Sequence, residues 1–139
     1  MMILNSIAKI TTCSIATLLI TGGLSLPTQA NSRARFALTC VGTETGDTIN
    51  FQARWGSNDT WESYSVRPGR WAMFTHDYDY PGENRSPQFQ IRYDDDLSSD
   101  VHIVITDLDS YAAENRYCEG EGATYTFHSR GLELYVVEE

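Results

Sequence analysis

The sequence predicts an all-β domain: an antiparallel β-sandwich or small barrel of about eight strands, closed by one disulfide. Short segments in which apolar and polar residues alternate run through most of the chain, which is the period of half-buried strands. Turns rich in Gly, Pro and Asp separate them, and no long segment has the period of an amphipathic helix. The choice between sandwich and barrel stays open, because the same hairpins build both architectures.

Residues 1–30 are predicted to be a signal peptide that precedes the fold. Lys9 is the only charge there, an apolar run follows over 10–20, and Thr28-Gln29-Ala30 has the small residues of a cleavage site. The apolar run is short and interrupted by threonines, so it does not predict a membrane span. Cleavage after Ala30 would leave 31–139 as one secreted or periplasmic domain.

Two cysteines, Cys40 and Cys118, remain in the predicted mature domain. In an exported chain a lone pair of cysteines indicates a disulfide. A redox or metal pair is the alternative, but there is no CxxC spacing and no histidine near Cys40. A bond enclosing nearly the whole domain would stabilise it by about 4 kcal/mol in the chain-entropy model.

The charge balance excludes some partners. The whole chain has a net charge of −9, and all 19 acidic residues lie in 31–139, where the only cations are nine arginines. Such a surface repels phosphate backbones and anionic membrane surfaces, so neither nucleic acid nor a membrane is a predicted partner. Solubility is the simplest consequence of this charge.

The first four predicted strands cover 35–41, 48–55, 60–66 and 70–75. In the first of them, Phe36, Leu38 and Cys40 share a face, which predicts that the cysteine points into the core. Between the third and fourth, Arg67-Pro68-Gly69 suits a type II turn and predicts a hairpin.

The centre of the predicted domain is the hairpin over 88–107, with further strands on both sides. Phe89, Ile91 and Tyr93 alternate with polar residues, and Ile103 and Ile105 continue the alternation after an acidic turn. The segment 108–115 has a composition that could form one helical turn. Two last strands are predicted over 123–128 and 132–137.

The motifs resemble a layout found in small exported bacterial proteins of unknown function. An early cysteine is followed by W-x-x-Y-S-V-x-P-G from Trp61 to Gly69 and by F-x-I-x-Y-D-x-D-L-S from Phe89 to Ser98. C-x-x-x-x-x-x-Y-x-F from Cys118 to Phe127 completes it. The resemblance covers most of residues 31–139 and implies the β class and the disulfide, but no activity.

The acidic turn is a candidate calcium site. Asp94, Asp96, Ser98 and Asp100 place oxygen-bearing side chains at alternate positions, as in calcium-binding loops. However, the sixth position has no glycine and the twelfth no acid. The alternative is a turn in which the Asp side chains accept hydrogen bonds from their own backbone.

The loop after the fourth strand is a candidate ligand site. Asp77, Tyr78, Asp79 and Tyr80 alternate carboxylates with aromatic rings, and Trp71 lies shortly before them. Sugars are recognised by flat apolar faces and by carboxylates that accept hydrogen bonds from hydroxyl groups. The alternative is that Trp55, Trp61 and Trp71 are core residues and that tyrosines cover the rim of the core.

No catalytic residue is predicted, since the chain has no G-x-S-x-G or H-E-x-x-H motif and its three histidines are far apart in sequence. The favoured hypothesis is a non-catalytic exported module that binds a ligand, with carbohydrate or an envelope protein as partner and calcium as the one cofactor considered. An envelope-associated structural protein without a small ligand is the second hypothesis. A small hydrolase using carboxylates is the third.

Overall fold

The computed structural model describes residues 34–139, so the predicted signal peptide lies outside the described residues. Within 34–139 there is no helix, and hence none long and apolar enough to cross a membrane. The all-β class is confirmed. The strands are β1 (Phe36–Thr43), β2 (Ile49–Trp55), β3 (Glu62–Val66), β4 (Ala72–Asp77), β5 (Phe89–Asp94), β6 (Ile103–Leu108), β7 (Tyr111–Ala113), β8 (Ala123–Arg130) and β9 (Glu133–Glu138).

These strands form two sheets, so the architecture is a β-sandwich. One sheet has the order β4-β1-β8-β9, with β7 also paired to β1, and the other has the order β3-β2-β5-β6. The main core lies between them and is rich in aromatic residues: the ring of Phe51 is 5.6 Å from that of Phe127 and 6.0 Å from that of Phe74. Such contacts let few, large side chains fill the space between two pleated layers.

The predicted antiparallel arrangement is wrong at one pair, because β1 and β8 are parallel. One edge of β1 is shared by two strands: β7 pairs with Phe36–Leu38 in antiparallel fashion, and β8 pairs with Thr39–Thr43. The chain reverses between β7 and β8, so the second of the two must run parallel to β1. The helical turn considered for 108–115 is also wrong, since β7 occupies the middle of that segment.

The predicted hairpin around Pro68 is wrong as well. β3 and β4 belong to different sheets, so residues 67–71 carry the chain from one layer to the other. The hairpin of β5 and β6 is present, but β6 is an edge strand, with no strand on its outer side. Ile103 and Ile105 face outward and are exposed, and it is Leu108 that enters the core.

β1 is buried on both faces along its whole length. Val41 joins the main core, whereas Phe36, Leu38 and Cys40 form a second small cluster with Ala113 and Cys118. The prediction that Cys40 points into the core, on the same face as Phe36 and Leu38, is confirmed: Cys40 is fully buried, in this second cluster under the 114–122 segment. The predicted disulfide is confirmed, with Cys40 and Cys118 joined and their Cα atoms 5.8 Å apart.

We expect the double variant Cys40→Ala/Cys118→Ala to lower the free energy of unfolding by about 4 kcal/mol, because a cross-link between positions so far apart in sequence restricts the unfolded chain. Urea unfolding of a protein that comprises residues 31–139 measures this loss. Leu132→Ala, at an exposed turn position, is the control and should change stability little. A loss in the cysteine variant no larger than that of the control would contradict this role of the disulfide.

Candidate functional site

The tyrosine-rich loop begins where β4 ends and is fixed to the start of β1. The backbone N–H of Tyr78 donates to the carbonyl oxygen of Arg35 over 2.9 Å. Next to it, the N–H of Asp79 donates to the Glu83 carboxylate over 2.7 Å. Pro81 and Gly82 form the turn between Tyr80 and Glu83, with a φ of 85° at Gly82, as a type II turn requires.

This loop forms one wall of a recess of about 680 Å³. Glu114 and Asn115, which follow β7, form the facing wall, and Arg35 lies between the two walls. The residues around the recess therefore carry two tyrosine rings, two carboxylates, a guanidinium group and an amide. The residues that line it are Ala34, Arg35, Tyr78, Asp79, Tyr80, Pro81, Glu114 and Asn115.

Glu121 fixes the Glu114–Asn115 wall. Its carboxylate accepts hydrogen bonds from the backbone N–H groups of Glu114 and Asn115 over 2.7 and 2.8 Å, and from the Asn115 side-chain amide over 2.8 Å. These bonds, first among them that from the Asn115 side chain, hold the pKa of Glu121 below its ordinary value of 4.5. The wall is thus held by an ionised carboxylate.

The two tyrosines of the recess differ in exposure. Tyr80 is 61% exposed, whereas Tyr78 is half-buried. Burial, and to a smaller extent the charge of Glu83, raises the pKa of Tyr78 above 10.0. Its phenol therefore stays protonated and can donate a hydrogen bond at any physiological pH.

The two remaining residues of the predicted ligand site do not line the recess. Asp77 is the exposed last residue of β4, paired with Phe36. Trp71 lies at the opposite end of β4 and packs against the cluster around the disulfide. Its ring covers Gly42, where an added Cβ would lie 2.8 Å from a ring carbon, so no other residue fits there without a shift.

The three tryptophans are neither simple core residues nor part of the recess. None of Trp55, Trp61 and Trp71 is fully buried, so they are not simple core residues. Trp55 covers one end of the core, with its ring 4.8 Å from that of Phe89. Trp61 lies against two arginines instead of joining the core.

In the acidic turn, the candidate calcium ligands accept hydrogen bonds from nearby backbone N–H groups. Asp94 accepts from Asp96 and His102 over 3.2 and 2.9 Å, Asp96 accepts from Ser98 over 2.8 Å, and Ser98 accepts from Asp100 over 3.3 Å. These are the local turns weighed above as the alternative to calcium. Within 34–139, no three His, Cys, Asp or Glu side chains are placed to hold a metal ion. Calcium binding here stays a prediction.

The acidic turn is also joined to the hairpin of β8 and β9. Leu97 N–H donates to the Leu132 carbonyl oxygen, and Leu134 N–H donates to that of Asp95, each over 2.8 Å. The side chain of Asp95 lies 2.6 Å from Nδ1 of His102. The hydrogen bond to Asp95, helped by its charge, raises the pKa of His102 above 6.5.

The recess was only half predictable from sequence. Tyr78, Asp79 and Tyr80 were identified from their alternation, but Arg35, Glu114 and Asn115 were not. Arg35 and Glu114 are brought together because Arg35 N–H donates to the Ala113 carbonyl oxygen over 2.9 Å, at the end of the β1–β7 pair. The sequence would have indicated these three residues only if β7 had been recognised as a strand that pairs with the start of β1.

No protein-family model matches the chain, and the searches of curated proteins and of solved structures gave no match either. The resemblance to small exported bacterial proteins therefore stays a prediction. The disulfide is of the kind that persists in oxidising, extracytoplasmic compartments.

We expect Asp95→Asn to lower the pKa of His102, because it removes the charge that favours the imidazolium form. A raised folded-state pKa means that this pair stabilises the domain below pH 6.5, and that the contribution is lost as the pH rises through the raised value. NMR titration of the His102 ring measures the pKa. Asp100→Asn is the control, and an equal decrease in both variants would contradict the assignment to Asp95.

We expect Glu121→Gln to reduce the dependence of stability on acid pH. Because the pKa of Glu121 is depressed, its carboxylate stabilises the folded domain above pH 4.5, and this contribution is lost as the pH falls through the lower folded-state value. Thermal unfolding as a function of pH should therefore show a smaller fall in Tm for the variant than for the wild type. Glu119→Gln, in the same segment, should retain the wild-type fall; the prediction is wrong if the two variants coincide.

Proposed function

We propose that the protein is an exported, non-catalytic carbohydrate-binding module whose ligand occupies the recess between the tyrosine loop and the Glu114–Asn115 wall. The observation that carries the proposal is the composition of that recess: two tyrosine rings together with hydrogen-bonding side chains of both kinds. Aromatic faces stack on the C–H faces of pyranose rings, and acidic and amide oxygens accept hydrogen bonds from sugar hydroxyls. Arg35 and the Tyr78 hydroxyl group supply the donors.

The hydrogen bonds that hold both walls support a site that is formed before the ligand binds. Glu121 holds one wall through three hydrogen bonds, and the loop is held by Arg35 and Glu83. A site ordered before the ligand arrives avoids the cost of ordering it on binding. Long loops on a rigid sandwich are common positions for such sites.

A hydrolase is the weaker proposal. A general acid needs a carboxyl group with a raised pKa, usually produced by burial. The two carboxyl groups whose pKa values shift, those of Asp96 and Glu121, shift downward because they accept hydrogen bonds. A role as an envelope-associated spacer needs no recess with aromatic walls, so it accounts for less of the structure.

The test is a glycan array probed with the mature domain, followed by calorimetric titration of each sugar that binds. We expect Tyr80→Ala and Tyr78→Ala each to weaken binding about tenfold, which equals about 1.4 kcal/mol and lies at the upper end of what one aromatic contact contributes. Tyr111→Ala is the matched control, because Tyr111 is a half-exposed tyrosine that does not line the recess.

An array without signal would overturn the proposal, as would equal losses in the recess variants and the control. Running the array with calcium and with a chelator, and measuring Tm under the same two conditions, tests the acidic turn as well. A rise in Tm with calcium that Asp96→Asn abolishes would support the calcium prediction, because binding to the native state alone raises its stability.

A further inference from the structure

The outer face of the four-stranded sheet has features that the recess does not explain. Gln52 and Arg54 of β2 and Gln90 and Arg92 of β5 point outward, since Phe51, Ala53, Phe89, Ile91 and Tyr93 point into the core. The register places Gln52 opposite Arg92 and Arg54 opposite Gln90. Two arginines therefore lie diagonally across the middle of this face.

Each arginine is held by a row of side chains that runs across the strands. Arg92 donates from Nε to Oε1 of Gln52 over 2.6 Å, and Gln52 donates in turn to Ser63 Oγ over 3.1 Å. In the second row, Arg54 donates from Nε to Gln90 over 2.8 Å, and Gln90 donates to Asp107 over 2.6 Å. Because Nε is used in both arginines, their orientation is set before any ligand is bound.

Trp61 joins the two rows. Its ring centre lies 4.3 Å from Cζ of Arg54 and 4.7 Å from Cζ of Arg92, so both guanidinium groups lie within cation–π distance of one ring. Within the described residues, neither arginine has a carboxylate within salt-bridge distance, since the only such contacts there involve histidines. In a chain with a net charge of −9 these are two adjacent cations whose charge is not neutralised by direct contact.

Beside Arg92 the same face is concave. A recess of about 650 Å³ lies there, lined by the outward-facing residues Asn50, Gln52, Ser63, Arg92, Asp94 and Ile103 and by the rings of Phe51, Tyr64 and Tyr93. Side-chain amides, a hydroxyl group, a guanidinium group and a carboxylate thus border the recess. The carboxylate, that of Asp94, accepts hydrogen bonds from the backbone N–H groups of Asp96 and His102. β2 and β5 pair with each other only over 52–55 and 89–92, so the recess lies where the two strands separate, next to the Gln52–Arg92 pair.

We propose that this face is a second binding site, for an oligosaccharide that contains carboxylate groups. Arg92, whose one hydrogen bond among the described residues is made through Nε, would bind a ring carboxylate with its terminal N–H groups in the paired geometry that arginine favours. Nη1 of Arg54 already donates to the carbonyl oxygens of Ser57 over 2.9 Å and Asp59 over 3.5 Å, so Arg54 would contribute its charge and its remaining terminal N–H groups. The amides would bind hydroxyl groups. An acidic peptide fits less well, because peptides gain most of their affinity along the edge strands of a sheet, here β3 and β6, whereas the two arginines lie on the central strands β2 and β5.

The test titrates the mature domain with uronic-acid oligosaccharides (oligogalacturonate, oligomannuronate and oligoglucuronate) and with the carboxyl-reduced, neutral form of each. At least one acidic sugar is expected to bind ten times more tightly than its neutral form, with affinity falling as salt rises. Arg54→Gln and Arg92→Gln should each weaken that binding about tenfold or more. Arg67→Gln, which changes an exposed arginine in the crossing between the sheets, should have no effect.

Arg92→Lys keeps the charge but loses the planar fork, and it should also weaken binding, which covers the case in which Arg92→Gln fails to fold. The proposal is overturned by equal affinity for acidic and neutral sugars, or by wild-type affinity in the Arg92 variants. It is also overturned if hexaglutamate binds as tightly as the sugar, or if the arginine variants lower Tm without weakening sugar binding. Tyr78→Ala and Tyr80→Ala should leave this binding unchanged, so the two sites fail or succeed separately.

Discussion

The two-sided burial of β1 is the constraint on which the remainder of the structure depends. Its inner face belongs to the main core, and its outer face must be covered by something other than a third sheet. The segment 114–122 provides that cover, and the bond from Cys118 to Cys40 fixes it there. Because Gly122 packs against Leu38 and Cys40, with no room for a Cβ, the return of the chain into β8 is equally close to β1. Because the chain reverses direction between β7 and β8, and β7 is antiparallel to β1, β8 runs parallel to β1.

The same segment builds the candidate carbohydrate site. Cys118 ties it to β1, and Glu121 three residues later holds Glu114 and Asn115 in place. Arg35 then joins this wall to the tyrosine loop through backbone hydrogen bonds on both of its sides. The recess is therefore formed by the segments that follow β4 and β7, the two strands that flank the start of β1, and the disulfide fixes one of these segments.

The sequence predicted what depends on local alternation and failed where tertiary position decides. β5 is central in its sheet, so the alternation of Phe89, Ile91 and Tyr93 reported its buried face correctly. β6 is an edge strand, and the apolar residues Ile103 and Ile105 lie on its outer face, where alternation alone indicates the wrong side. β7 has three residues, too few for any period to be recognised, and with it the Glu114–Asn115 wall was missed.

The position of the two arginines next to Trp61 could not be predicted from local sequence. Arg54 and Arg92 are far apart in sequence, and only the β2–β5 register brings them to one ring. Nothing in the local sequence of Trp61 distinguishes a tryptophan of the core from one on an outer face. By contrast, the disulfide could be predicted because the predicted domain over 31–139 contains two of the chain's three cysteines, which leaves a single pairing.

The acidic and the basic side chains make different kinds of contact. Asp94, Asp96 and Glu121 accept hydrogen bonds from backbone N–H groups, so these carboxylates shape turns and loops. Four arginines lie over aromatic rings instead: Arg54 and Arg92 over Trp61, Arg116 over Phe36 and Arg130 over Tyr135. A guanidinium group has its N–H groups at its edge, where they can meet a partner in the plane of the group. Arg54 already uses Nε and Nη1 for neighbouring oxygen atoms, whereas Arg92 uses only Nε, so the donors that stay available are chiefly those of Arg92. These donors are the physical basis for proposing that anionic sugars bind the outer face of the four-stranded sheet.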